Sequence, residues 1–271
     1  MGKQGGVDHL EVGRGDGVFL DLHTPKEMRK LVVGNWKANK SLAEALGFAD
    51  AVCSRMDNAS GTWEAWVAPP APYLALLVEQ YRENQSLRWV SQQVAAHTAG
   101  AHTGEFTAEM LKDCGVHAAL VGHSERRERF GETDEVVRTK VSRCIAAGLL
   151  PVLCCGETRE EREAGVAFAR VQAQLEDALG GVEGDVVVAY EPVWAIGTGL
   201  TATSAQAEAM HAHVQVVLAG LGLSHIQVLY GGSVNPANVS DLFAQPHVDG
   251  ALVGGASLDA ESFLQLIEAG R

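Results

Sequence analysis

Three features of the sequence predict an α/β protein built as a single (β/α)8 barrel. Short β-branched runs alternate with longer amphipathic stretches, roughly eight such pairs follow one another, and 271 residues suit the roughly 250 that one closed barrel needs. No G-x-G-x-x-G sequence follows the first run, which weakens the alternative of an open, dinucleotide-binding sheet.

The first 28 residues hold six glycines and scattered charges without a sustained period, so residues 1–28 read as a poorly specified extension and 29–271 as the barrel, with Met28 a possible alternative start. Strands are expected at Leu31–Gly34, Ala65–Ala68, Arg88–Gln92, Ala118–Val121, Pro151–Cys154, Val186–Tyr190, Gln227–Leu229 and Ala251–Val253. Helices are expected to begin at Ser41, Pro72, just after Thr107, at Glu132, Glu160, Ser204, Pro236 and Leu258. Each is entered by a capping residue, a proline or an acidic side chain.

A hydrophobic share of 46% with 20% charged residues is enough to bury a large core. The formal net charge of −13 repels phosphate backbones and anionic lipid surfaces, so nucleic acid and membrane partners are not expected, and an anionic ligand must be held by local groups. No stretch approaches the ~18 apolar residues of a membrane span, and the N-terminus lacks a signal peptide's apolar core; a soluble cytoplasmic protein is expected. The five cysteines form no C-x-x-C pair and sit mostly in apolar runs, which suits reduced thiols better than a disulfide or zinc site.

Barrel enzymes place working residues at the carboxyl ends of strands and in the loops that follow. That rule selects Asn35 and Lys37, His123 and Glu125, Glu191, and three glycine-rich loops. Glu191 ends the run VVVAY and precedes PVWAIGTG, a hinged segment suited to closing over a ligand. It is either a base at the barrel mouth or a strand-end partner in a salt bridge. His123 precedes SERRERF at a strand-to-helix corner, where a helix N-terminus favours a neutral imidazole; a purely structural histidine is the competing reading. Ser124 reads as a helix cap, and Arg126 and Arg127 as ion-pairing groups. Lys37, in GNWKANK, is either a solvated loop lysine or the cation that neutralises a phosphate or an enolate oxygen, with Glu125 fixing its position. The loops AIGTG, YGGSV and VGGAS offer backbone N–H groups. The last two occupy the usual phosphate site of such barrels, where an anion is bound without arginine.

GNWKANK, VGHSERR, PVLCCGETREER, AYEPVWAIGTGLTAT, YGGSV and DGALVGGASL, in that order, resemble the triosephosphate isomerases over about Leu31 to Glu268. The resemblance implies a TIM barrel that interconverts dihydroxyacetone phosphate and D-glyceraldehyde 3-phosphate, in glycolysis and gluconeogenesis, with no metal or redox cofactor. It implies that Glu191 is the base, that His123 and Lys37 stabilise the enediolate, that Asn35 shares the catalytic site and that Glu125 steadies Lys37. Gly197, Ser233, Gly254 and Gly255 take the phosphate-binding places, and the segment Pro192–Gly199 is a closing loop. A homodimer is also implied, with Thr103 reaching the partner's site. Ala38, Gln93 and His102 depart from the family pattern at the subunit contacts. Two readings compete: a phosphate-binding barrel without catalysis, against which the full set of Asn35, Lys37, His123 and Glu191 stands, and a Schiff-base aldolase with Lys37 as nucleophile.

The irregular character of the extension leads to a prediction. A chain begun at Met28 is expected to melt within a few degrees of the full chain and to keep its activity. A larger loss, in calorimetry or circular dichroism, would show that residues 1–27 pack on the barrel.

Overall fold

The computed structural model describes residues 30–56, 63–84, 86–196 and 201–270, so the expected extension, residues 1–28, and Gly197 lie outside the described residues. Eight strands close into a barrel in chain order: β1 (Lys30–Asn35), β2 (Trp63–Ala68), β3 (Leu87–Ser91), β4 (Ala118–Val121), β5 (Leu150–Cys155), β6 (Val187–Tyr190), β7 (Val228–Tyr230) and β8 (Gly250–Val253). Every neighbouring pair is parallel, and β8 returns to β1 with Leu31 opposite Gly250 and Gly34 opposite Val253. All eight expected strands are present, Ala118–Val121 with the expected bounds and the other seven shifted by a residue or two at an end.

The strands alternate between two apolar layers because successive side chains point to opposite faces. Leu31, Val33, Trp66, Val90, Leu120, Val152, Cys154 and Leu229 fill the barrel, whereas Val32, Val67, Trp89, Val121, Leu153, Val188 and Tyr230 pack outward under the helices. Both layers are dry, which explains why the strands read as unbroken apolar runs. The alternation also aims the strand ends. Asn35 continues the inward series of Leu31 and Val33, and Glu191 that of Val187 and Ala189.

The helices are α1 (Leu42–Met56), α2 (Ala71–Gln80), α3 (Ala108–Asp113), α4 (Ser124–Phe130), α5 (Asp134–Ala146), α6 (Arg159–Glu163), α7 (Ala167–Leu179), α8 (Ser204–Gly220), α9 (Val239–Phe243) and α10 (Ala260–Glu268). Thr107, Thr133, Thr158, Thr203 and Asp259 cap α3, α5, α6, α8 and α10 with their side chains. Four expectations need correction. The helix expected at Glu132 begins at Asp134, after its Thr133 cap. The helix expected from Glu160 is two, parted at Gly165, whose φ of +75° ends the first. The helix expected at Pro236 begins only at Val239, because the side chain of Asn235 accepts from Ala237 N and holds a turn. The helix expected at Leu258 begins at Ala260, after a 3-10 turn over Gly255–Ser257.

His211 of α8 is fully buried behind the mouth, its ring 5.8 Å from that of Tyr190 and 6.2 Å from that of Tyr230. Its Nδ1 lies 3.0 Å from the carbonyl oxygen of His247, so Nδ1 carries the proton. Burial pushes His211 down to about 4, and burial together with the Arg88 guanidinium does the same to His117. A histidine whose native pKa lies below its unfolded value of about 6.5 contributes stability above that value and loses it as the pH falls toward the native pKa. The melting temperature should therefore decline between about pH 6.5 and pH 4, and His211→Gln should make that decline shallower. An unchanged slope would show that His211 takes no part in it.

Candidate active site

The mouth of the barrel gathers groups from four strand ends. Asn35 closes β1, and its Oδ1 accepts a hydrogen bond from Lys37 N at 3.0 Å. This bends the chain so that Lys37 adopts a φ of +52°, unusual for a residue with a side chain. Gln92, after β3, holds the bend by donating to Lys37 O at 2.8 Å and to Ala68 O at 2.9 Å. The Lys37 ammonium lies 2.8 Å from Glu125 Oε1. Burial alone would raise Glu125, but the hydrogen bond and charge of Lys37, with smaller help from His123 and Arg129, hold its carboxyl below the usual range. The ion pair expected between these two residues is present.

His123 is itself the N-cap of α4, and its Nδ1 accepts from Glu125 N at 3.2 Å. An Nδ1 that accepts leaves the proton of a neutral ring on Nε2, which lies 3.0 Å from Glu191 Oε1. Ser124 is therefore not the cap it resembles in the sequence. Its backbone N–H donates to Glu191 Oε2 at 2.8 Å and its hydroxyl to Oε1 at 3.3 Å. Glu191 is only 2% exposed, so its carboxylate rests on the N-terminal peptide of α4 and on an imidazole edge rather than on water.

Two glycines make room for it. A Cβ on Gly156, just past β5, would lie 1.8 Å from the carbonyl oxygen of Glu191, and one on Gly231 would lie 2.9 Å from Glu191 Cγ. Cys154, beside this contact, is fully buried, and burial followed by the charge of Glu191 pushes its thiol far up. It is a packed, protonated strand residue. Arg126 pairs with Glu132, and Arg127 donates to Asp134 at 2.6 Å and to Gly122 O at 2.7 Å, so both are ion-pairing groups as expected.

Ser233, Gly254 and Gly255 line the same cavity of about 990 Å³ as Asn35, Lys37, His123, Glu125 and Glu191. Trp36 ties the first of these loops to the last by donating from Nε1 to Ser257 O at 3.1 Å. Sequence reasoning missed Glu157, whose side chain is fully buried. Its Oε1 accepts from Trp194 at 2.8 Å, Arg162 at 2.9 Å and Tyr190 at 3.0 Å, and its backbone oxygen takes Val193 N at 3.2 Å. It thus holds Val193 and Trp194, just past β6. Gln92, Ser124 and Gly156 were missed as well; of these, only Ser124 had the signal of adjacency to expected site residues.

A carboxylate and a neutral imidazole in contact, with an ammonium across the mouth, define a barrel enzyme of the acid–base class. The family model for triosephosphate isomerase matches residues 30–270, and the chain belongs to that family. Triosephosphate isomerase of Paracidovorax citrulli is 48% identical over 247 residues, 89% of this chain and 98% of the relative. That of Bordetella pertussis is 45% identical over 251 residues, 92% and 100%. That of Prosthecochloris aestuarii is 43% identical over 247 residues, again 89% and 98%.

The contact at Gly156 can be tested. Gly156→Ala would push the Glu191 main chain aside, and a displacement on the order of 1 Å at a reacting group can cost about 10²-fold. The variant should lose at least about tenfold in kcat and several degrees in melting temperature. Unchanged kcat would mean that β5 and β6 part without disturbing the carboxylate.

Proposed function

We propose that the chain interconverts dihydroxyacetone phosphate and D-glyceraldehyde 3-phosphate, a step of glycolysis and gluconeogenesis, with Glu191 as the base. The observation that carries the reading is the 3.0 Å approach of His123 Nε2 to Glu191 Oε1 at the floor of a cavity that also holds Lys37. Glu191 takes a proton from the carbon beside the carbonyl, and the electrons of that C–H bond form the enediolate. It then returns the proton to the neighbouring carbon. His123 Nε2–H donates to the oxygen that gains charge and moves a proton between the two oxygens, while the Lys37 ammonium balances the anion. For this the carboxylate and imidazole must exchange their mutual contact for contacts with substrate, and Ser124 must yield its hold on Glu191.

The phosphate falls to N–H groups of the loops bearing Gly197, Ser233, Gly254 and Gly255, which reconciles an anionic substrate with an acidic protein. Closure of the segment 192–199, whose start Glu157 anchors, keeps water from the enediolate. No cofactor or metal enters this reaction. The enzyme works as a cytoplasmic homodimer in this reading, supported by the exposed segment 97–105 that carries Thr103. Among the described residues no helix is long and apolar enough to cross a membrane.

Replacing Glu191 by Asp keeps the charge but withdraws the carboxylate by on the order of 1 Å, so kcat should fall by roughly two orders of magnitude. KM should change only a few-fold, because the phosphate-binding loops are untouched. Glu191→Gln should be slower still. A coupled assay of triose phosphate conversion reads both, and an Asp variant retaining more than about a third of the native kcat, against the loss expected from geometry, would remove Glu191 from the role of base.

A further inference from the structure

Of the described residues other than glycine, two have a positive φ, and both lie in the loop after β1: Lys37 at +52° and Lys40 at +74°. Strain of this kind persists only where the surroundings impose it, and it gathers at functional positions. For Lys37 the surroundings are the site itself. Lys40 does not line the catalytic cavity, so its conformation has another cause.

Its side chain supplies one. Nζ of Lys40 donates to Leu258 O at 2.7 Å, across 218 positions of sequence, and lies 5.1 Å from the ring centres of both Trp36 and Phe48. Those two rings meet edge to face at 4.9 Å. Burial lowers the pKa of the ammonium, and the charges of Glu44 and Asp259 offset this in part. Neither carboxylate pairs with it; they accept instead from Ser41 and Ser262. A lysine merely solvated in a loop needs neither a strained backbone nor so short a bond to a distant carbonyl.

Leu258 ends the turn after β8. The 3-10 run over Gly255–Ser257 is closed by Ser257 N donating to Gly254 O at 2.9 Å and Leu258 N to Gly255 O at 3.1 Å. Trp36 holds Ser257 O at 3.1 Å and Lys40 holds Leu258 O. Lys37 touches the other end, where a Cβ on Gly254 would lie 3.6 Å from Lys37 Cε. Three residues of the loop after β1 thus grip the turn at both ends. In a run this short the same few hydrogen bonds join its carbonyls to its N–H groups, so holding Ser257 O and Leu258 O fixes where the N–H groups of Gly254 and Gly255 point.

We infer that Lys40 is a positioning residue for the phosphate: by holding Leu258 O it keeps the N–H groups of Gly254 and Gly255 aimed into the cavity, without touching substrate itself. This rests on the assignment of the phosphate to those glycines made above.

Kinetics of the full-length enzyme test it, with inorganic phosphate as the probe of the site. Lys40→Met removes the ammonium but keeps a stem over the rings, and Lys40→Gly removes the side chain together with the backbone strain. Both should raise KM for glyceraldehyde 3-phosphate and the inhibition constant of phosphate together, by about fivefold or more, with kcat within about threefold of native. The glycine variant should melt within a few degrees of the native enzyme, since glycine takes a φ of +74° freely, so its weaker binding does not come from unfolding. Both ratios should hold from about 0.01 M to about 0.5 M salt, because a fixed turn is not screened whereas a distant charge is. Native KM and inhibition constant in both variants, a loss carried by kcat alone, or ratios that vanish at high salt would overturn the proposal. A native enzyme that does not isomerise triose phosphates, or that phosphate does not inhibit, would remove the phosphate assignment and this role with it. An active, phosphate-inhibited native enzyme beside unaltered variants would remove only the role of Lys40.

Discussion

The buried carboxylate of Glu191 sets the terms for everything around it. A charge removed from water costs several kcal/mol unless donors meet it, and an exposure of 2% leaves little water to do so. The donors come from one place, the corner between β4 and α4, as the peptide N–H and hydroxyl of Ser124 and the Nε2 edge of His123. That corner must in turn be held. Arg127 grips it by donating to Gly122 O, at the end of β4, and to Cys154 O at 3.3 Å, on β5. Asp134 of α5 fixes Arg127 at 2.6 Å and Arg170 of α7 at 2.8 Å. Burial would raise Asp134, yet the two guanidiniums hold it below the usual carboxylate range. A single buried charge thus engages two strands and three helices.

How much of this could be read from the chain depends on the range of the signal. Strands were legible throughout, because a parallel barrel buries both faces of each strand and so writes them as continuous apolar runs. Helix starts were legible where a threonine caps the first turn, at Thr107, Thr133 and Thr203, and less so where a 3-10 turn or an asparagine turn delays the helix, as before Ala260 and Val239. At the site, Asn35, Lys37, Glu125, His123 and Glu191 stood out by their position after strands and by family resemblance. Ser124 and Glu157 did not. Ser124 has the local features of a cap, and only a contact with a residue 67 positions away gives it another use. Glu157 takes partners 33 and 37 positions ahead, Tyr190 and Trp194, which no local pattern announces.

Glu157 also shows how one strand end serves two purposes. Along β6 the pleat sends Ala189 inward and Tyr190 outward, so Glu191 returns to the barrel mouth. The outward Tyr190 donates to Glu157, which also receives the indole of Trp194, so the carboxylate that holds Trp194 is attached to the strand that delivers Glu191. All three side-chain donors converge on Oε1 of Glu157, while the equally buried Oε2 has no partner among the described residues. The anchor is thus tight in position but incompletely satisfied in hydrogen bonding. The base on the inner face rests on main-chain N–H and imidazole contacts, and the residues that follow it rest on this outer carboxylate. Because two successive side chains of one strand lie on opposite faces, the contacts of Glu157 with Tyr190 and Trp194 are separate from those that hold the carboxylate of Glu191.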